Sequence, residues 1–92
     1  MSYCRTTLFE YQPEEDANEL FAQYQANAPT NFPAADVLLC TRTGPKSAVM
    51  TSLYESKEKA DLAMAARKPL LDDVKDKIKN IDTHEGEASQ LG

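Results

Sequence analysis

The sequence predicts an α+β domain in which four strands and two helices follow the order βαββαβ. Short runs rich in β-branched and aromatic residues, bounded by proline or glycine, predict the strands. Two longer segments repeat apolar residues at the spacing of a helix face. A length of 92 residues is that of one domain. We therefore expect a single domain over residues 1–92, with an ordered core of about 2–88.

The first third of the chain predicts a strand followed by a helix. Residues 3–11 contain β-branched and aromatic types and no strand breaker. Pro13 suits the first turn of a helix, and the acidic residues 14–16 complement its partially positive N-terminus. Pro29 is expected to end this helix. Its apolar face is formed by Ala17, Leu20, Phe21, Tyr24 and Ala28.

The middle of the chain predicts a β-hairpin. Residues 29–34 form a loop with two prolines. Residues 37–41 and 48–54 are apolar or β-branched, and a Gly-Pro turn at 43–46 separates them. Two such runs around a short turn are typical of two antiparallel strands.

The last third predicts a helix over about 57–79 and a polar strand over about 81–88. Ser56 is a plausible N-cap for the helix. Pro69 is expected to kink or split it near Arg67, because proline removes one hydrogen bond and clashes with the preceding turn. The helix positions that step by threes, fours and sevens are Ala60, Ala63, Met64, Leu71, Val74 and Ile78.

This order of elements predicts a ferredoxin-like fold, with both helices on one face of a four-stranded antiparallel sheet. The other face also carries apolar side chains, and no further helix is predicted that would cover it. Exposed apolar faces of this size mark partner sites. We therefore expect a homodimer in which two copies pack sheet face against sheet face.

The composition of the chain argues against several classes of protein function. A net charge of −5 argues against nucleic-acid and anionic-membrane partners, which bind basic surfaces. Cys4 and Cys40 are too few for a disulfide scaffold, and each lies in an apolar run. No metal-binding spacing occurs, so neither a metal nor another cofactor is expected. The absence of a signal-peptide pattern and the two reduced thiols predict a cytoplasmic protein.

The run from the third strand into the second helix, Met-Thr-Ser-Leu-Tyr-Glu-Ser-Lys-Glu-Lys-Ala-Asp-Leu-Ala at 50–63, resembles the dimeric α+β barrel superfamily, in its antibiotic-biosynthesis-monooxygenase-like branch. Glu85-Gly86-Glu87 is similar to the closing strand of that family. The resemblance covers about residues 2–90 and implies the fold and the homodimer. Enzymatic branches of the family typically use Trp with Asn and either His or Tyr. This sequence has no Trp, and its one His lies on the last strand, so no catalytic residue is carried over.

Three hypotheses for function remain open. In the first, the dimer binds a small apolar or aromatic ligand between helices and sheet. In the second, a cofactor-free monooxygenase-like enzyme works in the same cavity. In the third, the chain is a structural dimerisation module without catalysis. The residues expected to line the pocket are Leu20, Phe21, Tyr24, Leu53 and Met64, and the candidate catalytic groups are His84, Tyr24, Tyr54 and Arg67.

Each polar candidate has two interpretations. His84 has the side chain best suited to acid–base work near neutral pH, and it also fits a partly exposed position on a polar strand. Arg67 would share a face with Ala60 and Met64 in a continuous helix, where its guanidinium would bind a carboxylate or phosphate; otherwise it reaches solvent or pairs with an acidic side chain. The Tyr24 hydroxyl either enters the pocket or is satisfied within the core.

Overall fold

The computed structural model describes residues 2–89 and residue 91. It confirms the predicted βαββαβ order and the ferredoxin-like architecture. The sheet is fully antiparallel, with strand order β2-β3-β1-β4. The elements are β1 (Ser2–Tyr11), α1 (Glu14–Asn31), β2 (Val37–Gly44), β3 (Ser47–Tyr54), α2 (Lys57–Asp72), a single 3₁₀ turn (Lys75–Lys77) and β4 (Ile78–Ala88).

Helix α1 does not stop at Pro29, as the sequence predicted, but continues to Asn31. Pro29 lies in the last turn, where the missing N–H costs one hydrogen bond and leaves the rest of the helix intact. The Phe32 N–H donates to the Ala28 carbonyl at 2.8 Å, which closes the helix.

The prediction of helix over 73–79 was wrong. Helix α2 ends at Asp72, within one turn of Pro69, and the 3₁₀ turn leads directly into β4. Strand β4 begins at Ile78, three residues earlier than predicted, because Ile78 already pairs with Tyr11 of β1. At the other end of α2, the predicted N-cap is confirmed: the Lys59 N–H donates to Ser56 Oγ at 3.3 Å.

The face of the sheet that packs against the helices holds the core. Side chains alternate along β1, so its odd-numbered residues from Tyr3 to Tyr11 are buried on this face. The buried residues of the core form two clusters. One contains Tyr3, Ala28, Phe32, Tyr54, Ala60 and Ala63. The other contains Phe9, Tyr11, Ala17, Leu20, Ala48 and Met50.

The opposite face, called here the open sheet face, carries apolar side chains that no described element of the chain covers. Leu39 is 57% exposed and Leu8 43% exposed. Cross-strand pairing places Leu53 between Cys4 and Val37 on this same face. The open sheet face is formed by Cys4, Thr6, Leu8, Val37, Leu39, Val49, Thr51, Leu53, Asp82 and His84.

Candidate ligand-binding site

A cavity of about 280 Å³ lies between the two helices and the sheet. Its volume is close to the lower end of the range for small-molecule pockets, about 300–1,000 Å³. Its walls are largely apolar, because the inward-facing residues of β1 and of both helices meet there. The apolar residues include Phe9, Leu20, Leu71, Val74 and Ile78. Ala28 and Ala63 line the cavity from the two helices with side chains of one carbon atom.

Two arginines line this apolar cavity. Arg5 comes from the middle of β1 and is 3% exposed. Arg67 comes from α2, one helical turn after Ala63, and is half-buried. Guanidinium groups remain charged in proteins, so the cavity holds two positive charges.

Arg5 is bonded to a carboxylate and to a backbone carbonyl. Its Nε donates to Glu85 Oε2 at 2.8 Å, and its Nη1 donates to the Ala60 carbonyl at 2.8 Å. Its guanidinium also lies over the Tyr54 ring, 5.9 Å from the centroid. The Tyr3 hydroxyl donates to the other carboxylate oxygen of Glu85 at 3.1 Å. The hydrogen bond from Arg5 holds the pKa of Glu85 below its ordinary value.

Arg67 is held only by hydroxyl groups. Its Nη1 donates to Thr7 Oγ1 at 2.8 Å and its Nη2 donates to Thr83 Oγ1 at 3.1 Å. Its Nε is buried, and no described residue accepts a hydrogen bond from it. Burial and the nearby charge of Arg5 lower the pKa of Arg67. This guanidinium is therefore partly desolvated, and no carboxylate among the described residues is bonded to it.

Two of the tyrosines that line the cavity, Tyr11 and Tyr24, are weaker acids than free tyrosine. Burial raises the pKa of Tyr24 to about 12, and burial raises the pKa of Tyr11 to about 12. Both therefore stay protonated at neutral pH and can serve as hydroxyl donors to a ligand. Tyr54 also lines the cavity and is 2% exposed.

The four candidate catalytic residues separate into two groups. Tyr24, Tyr54 and Arg67 line the same cavity. His84 lies on the open sheet face, because it pairs directly with Thr6 of β1 and so points away from the helices. Its Nε2 lies 3.1 Å from Asp82 Oδ2, and both side chains are exposed. His84 therefore does not share a site with the other three.

The expected pocket residues also separate. Leu20 and Tyr24 line the cavity, whereas Phe21, Leu53 and Met64 do not. Leu53 lies on the open sheet face, since strand residues alternate between faces and Tyr54 occupies the inner one. Phe21 packs instead under Arg42, whose guanidinium lies 5.6 Å from the ring centroid. Met64 precedes Arg67 on α2 but lies outside the lining.

The sequence analysis did not single out Arg5 and Thr7 as site residues. They lie between Tyr3 on one side and Phe9 and Tyr11 on the other, so three aromatic residues on one strand face enclose two polar ones. A polar pair on an otherwise aromatic buried face is the signal that identifies them. Their partners Glu85 and Thr83 lie opposite them on β4, and the sequence alone does not show that pairing.

Two other kinds of site are not seen in the described part of the chain. Residues 2–89 and 91 contain no group of three or more His, Cys, Asp or Glu side chains arranged to hold a metal ion. None of the helices in these residues has the length and apolar character needed to cross a bilayer.

Comparison with known proteins shows a fold shared with several solved structures. No protein-family model matches the chain, and no curated protein matches it. A candidate antibiotic biosynthesis monooxygenase from Chloroflexus aurantiacus is 11% identical with a TM-score of 0.75, over 100% of this chain and 98% of that one. A variant of SnoaB, a cofactor-independent oxygenase from Streptomyces nogalater, is 15% identical with a TM-score of 0.70, over 98% and 95% of the two chains.

A third similar structure is a dimeric ferredoxin-like protein from an uncultured marine organism. It is 14% identical with a TM-score of 0.73, over 98% of this chain and 90% of that one. All three likenesses span nearly whole chains at low identity, so they establish architecture rather than chemistry. The chain therefore has the ferredoxin-like fold that these three structures share.

Proposed function

We propose that this protein is a homodimer that binds a small, apolar or aromatic molecule in the cavity between its helices and its sheet. The observation that carries the proposal is the cavity itself, with an apolar wall and a few polar groups directed to it. Pockets of this composition are typical of small-molecule sites, because apolar walls supply affinity and isolated polar groups supply orientation.

The open sheet face supports the homodimer. Leu8, Leu39 and Val37 are exposed there, and Leu53 and Val49 lie beside them. A second copy presents the same apolar surface and is its own complement about a two-fold axis. The likeness to a dimeric ferredoxin-like protein supports the same occupant. A solution mass twice that of one chain supports the pairing, and the mass of a single chain contradicts it.

We further propose a cytoplasmic location, because reduced thiols are typical of a reducing compartment and the two cysteines do not form a disulfide. Cys4 and Cys40 are both free. Cys4 points to the open sheet face, while Cys40, paired with Met50, points to the helices. Side chains on opposite faces of one sheet do not form a disulfide within a chain.

Nuclear magnetic resonance with a neutral aromatic probe tests the ligand site. We expect naphthamide, added to isotope-labelled protein, to shift the amide signals of cavity residues such as Leu20, Ala63 and Leu71. The amide signal of Leu39, on the open sheet face, serves as the internal control and should stay in place. An unchanged spectrum at millimolar naphthamide, or shifts confined to the open sheet face, would contradict the proposal.

A second candidate is a cofactor-free oxygenase acting in the same cavity. The observation that favours it is that Tyr24, Tyr54 and Arg67 converge there, in a fold shared with a cofactor-independent oxygenase. Among the described residues of the lining, Asp73 is the one carboxylate and no histidine is present. Proton abstraction would therefore depend on Asp73 or on the substrate itself.

Oxygen uptake distinguishes an enzyme from a binding protein. Reduced polycyclic phenols that the protein binds would be supplied with air-saturated buffer, and oxygen followed with an electrode. Uptake that exceeds the autoxidation rate and is lost in Tyr24→Phe supports the oxygenase. Binding without uptake supports the binding protein. A dimer that binds none of these molecules leaves the structural module as the function of the chain.

A further inference from the structure

We infer that the molecule bound in the cavity carries a carboxylate and that this group pairs with Arg67. The inference rests on the proposed function, that the cavity binds a small apolar or aromatic molecule, and it adds a charge requirement to that molecule. The ligand class is then an aromatic or branched-chain monocarboxylic acid.

The guanidinium of Arg67 has N–H donors without a hydrogen-bond partner in the described part of the protein. A guanidinium has five N–H donors, and hydrogen bonds to Thr7 and Thr83 use two of them. Among the described residues nothing accepts from its Nε. A buried charge without a counter-ion is costly, and proteins pair such charges when they keep them. An anion in the cavity would provide the missing counter-charge.

Arg5, in the same cavity, differs from Arg67 in having a carboxylate partner. Both arginines line the same space, but only Arg5 has a carboxylate partner, with its Nε 2.8 Å from Glu85. Both oxygens of Glu85 have a partner, because Tyr3 donates to the oxygen that Arg5 does not bond. Glu85 therefore pairs with Arg5 and Tyr3, and no carboxylate among the described residues is hydrogen-bonded to Arg67. Asp73 also lines the cavity, from an exposed position at the end of α2, and no hydrogen bond or ion pair joins it to Arg67.

A guanidinium pairs with either a carboxylate or a phosphate, and a singly charged carboxylate suits this cavity better because its described lining holds no cation besides Arg5 and Arg67. The free donors of a planar guanidinium match the two oxygens of a carboxylate in a bidentate pair. The remaining walls are apolar, with Phe9, Leu20 and Leu71 among them, so the rest of the molecule is a hydrocarbon or an aromatic ring. A volume of about 280 Å³ accommodates one such small molecule.

Calorimetric titration of naphthoate and naphthamide into the full-length protein tests the inference, since the two probes share a ring and differ in charge. We expect the intact protein to bind naphthoate about tenfold more tightly than naphthamide. Arg67→Gln should bind the two equally, and Arg67→Lys should keep part of the preference. Arg42→Gln is the matched control, because Arg42 contacts Asn18 and the hairpin turn outside the cavity, and it should keep the full preference.

Each result has a defined meaning. Equal binding of both probes to the intact protein overturns the carboxylate requirement and leaves the proposed function standing. Binding of neither probe removes the proposed function and the inference together. If Arg67→Gln does not fold, the Arg67 Nε–H resonance of the intact protein decides: naphthoate should move it further downfield than naphthamide does, and equal shifts with the two probes, or no shift with either, contradict the inference.

Discussion

Arg5 Nε lies 2.8 Å from Glu85 Oε2, in a salt bridge between directly opposed residues of the neighbouring strands β1 and β4. The Arg5 side chain is 3% exposed and the Glu85 side chain 31% exposed. The same arginine reaches the Ala60 carbonyl in α2, so one side chain joins the central strand, the edge strand and a helix. These contacts of Arg5 hold β4 to β1 and hold α2 to the cavity side of the sheet.

Removal of the Glu85 carboxylate should destabilise the fold. Glu85→Ala leaves the buried Arg5 without its counter-ion, and hydrogen bonds to charged groups contribute about 1.5–3 kcal/mol each. We expect the free energy of unfolding in urea to fall by about 2 kcal/mol. Glu87→Ala, two residues further along β4, is the matched control, and its effect should stay within about 0.5 kcal/mol. Equal stability of the two variants would refute a structural role for the salt bridge.

The same salt bridge predicts a loss of stability in acid. The Arg5 hydrogen bond lowers the pKa of Glu85 in the folded state below its unfolded value. The stabilisation is therefore fully present above the unfolded pKa of about 4.3 and is lost as the pH falls through the folded pKa. Urea unfolding between about pH 6 and pH 2 should show the gap between the native protein and Glu85→Gln shrinking with acidity. A gap that stays constant over this range would count against the assignment.

The Cys40 thiol should be unreactive at neutral pH. Burial raises the pKa of Cys40 to about 11, and its S–H donates to Met50 Sδ at 3.0 Å. Since the thiolate is the nucleophile, we expect slow labelling by Ellman's reagent at about pH 8 in a Cys4→Ser variant. The same variant unfolded in urea provides the control and should react at the rate of a free thiol. Equally fast labelling of the folded and unfolded forms would contradict the protection of this half-buried thiol.

Filling the cavity should abolish binding of the naphthalene probes. Ala63 lines the cavity and is 7% exposed, so Ala63→Leu places a larger side chain in the ligand space. Overpacking costs about 1–3 kcal/mol of stability. Ala65→Leu makes the same chemical change at an exposed position of α2 and should leave the affinity unchanged. Undiminished binding in Ala63→Leu would place the ligand elsewhere.

The strands and helices and their order could be predicted from the sequence, because each depends on the spacing of apolar residues and of prolines within a short segment. Residues 3–11, predicted as a strand, do form β1, and Tyr3, Arg5 and Thr7 therefore share one of its faces. The end of α2 was not predictable in this way, because β4 recruits Ile78 by pairing with Tyr11, which is remote in the sequence. The pairing of Ile78 with Tyr11 therefore starts β4 at a position where helical periodicity alone predicts the end of a helix.

The site was less predictable than the fold. The sequence left open whether Arg67 reaches the sheet, since Pro69 was expected to disturb the helix phase. Pro69 removes a hydrogen bond only near the end of α2, so Arg67 keeps its phase and its guanidinium reaches Thr7. The cavity itself depends on how far the two helices stand from the sheet, and that spacing is set by packing across the whole domain.

The central claim is that the helices cover one face of the sheet and a second copy covers the other. Light scattering coupled to size-exclusion chromatography tests it most directly, on the native protein and on Leu39→Glu, which places a charge on the open sheet face. Leu62→Glu is the control, because Leu62 is 68% exposed on the outer side of α2. We predict a dimer mass for the native protein and for Leu62→Glu, and a monomer mass for Leu39→Glu. A native protein with the mass of one chain at micromolar concentration would contradict the account.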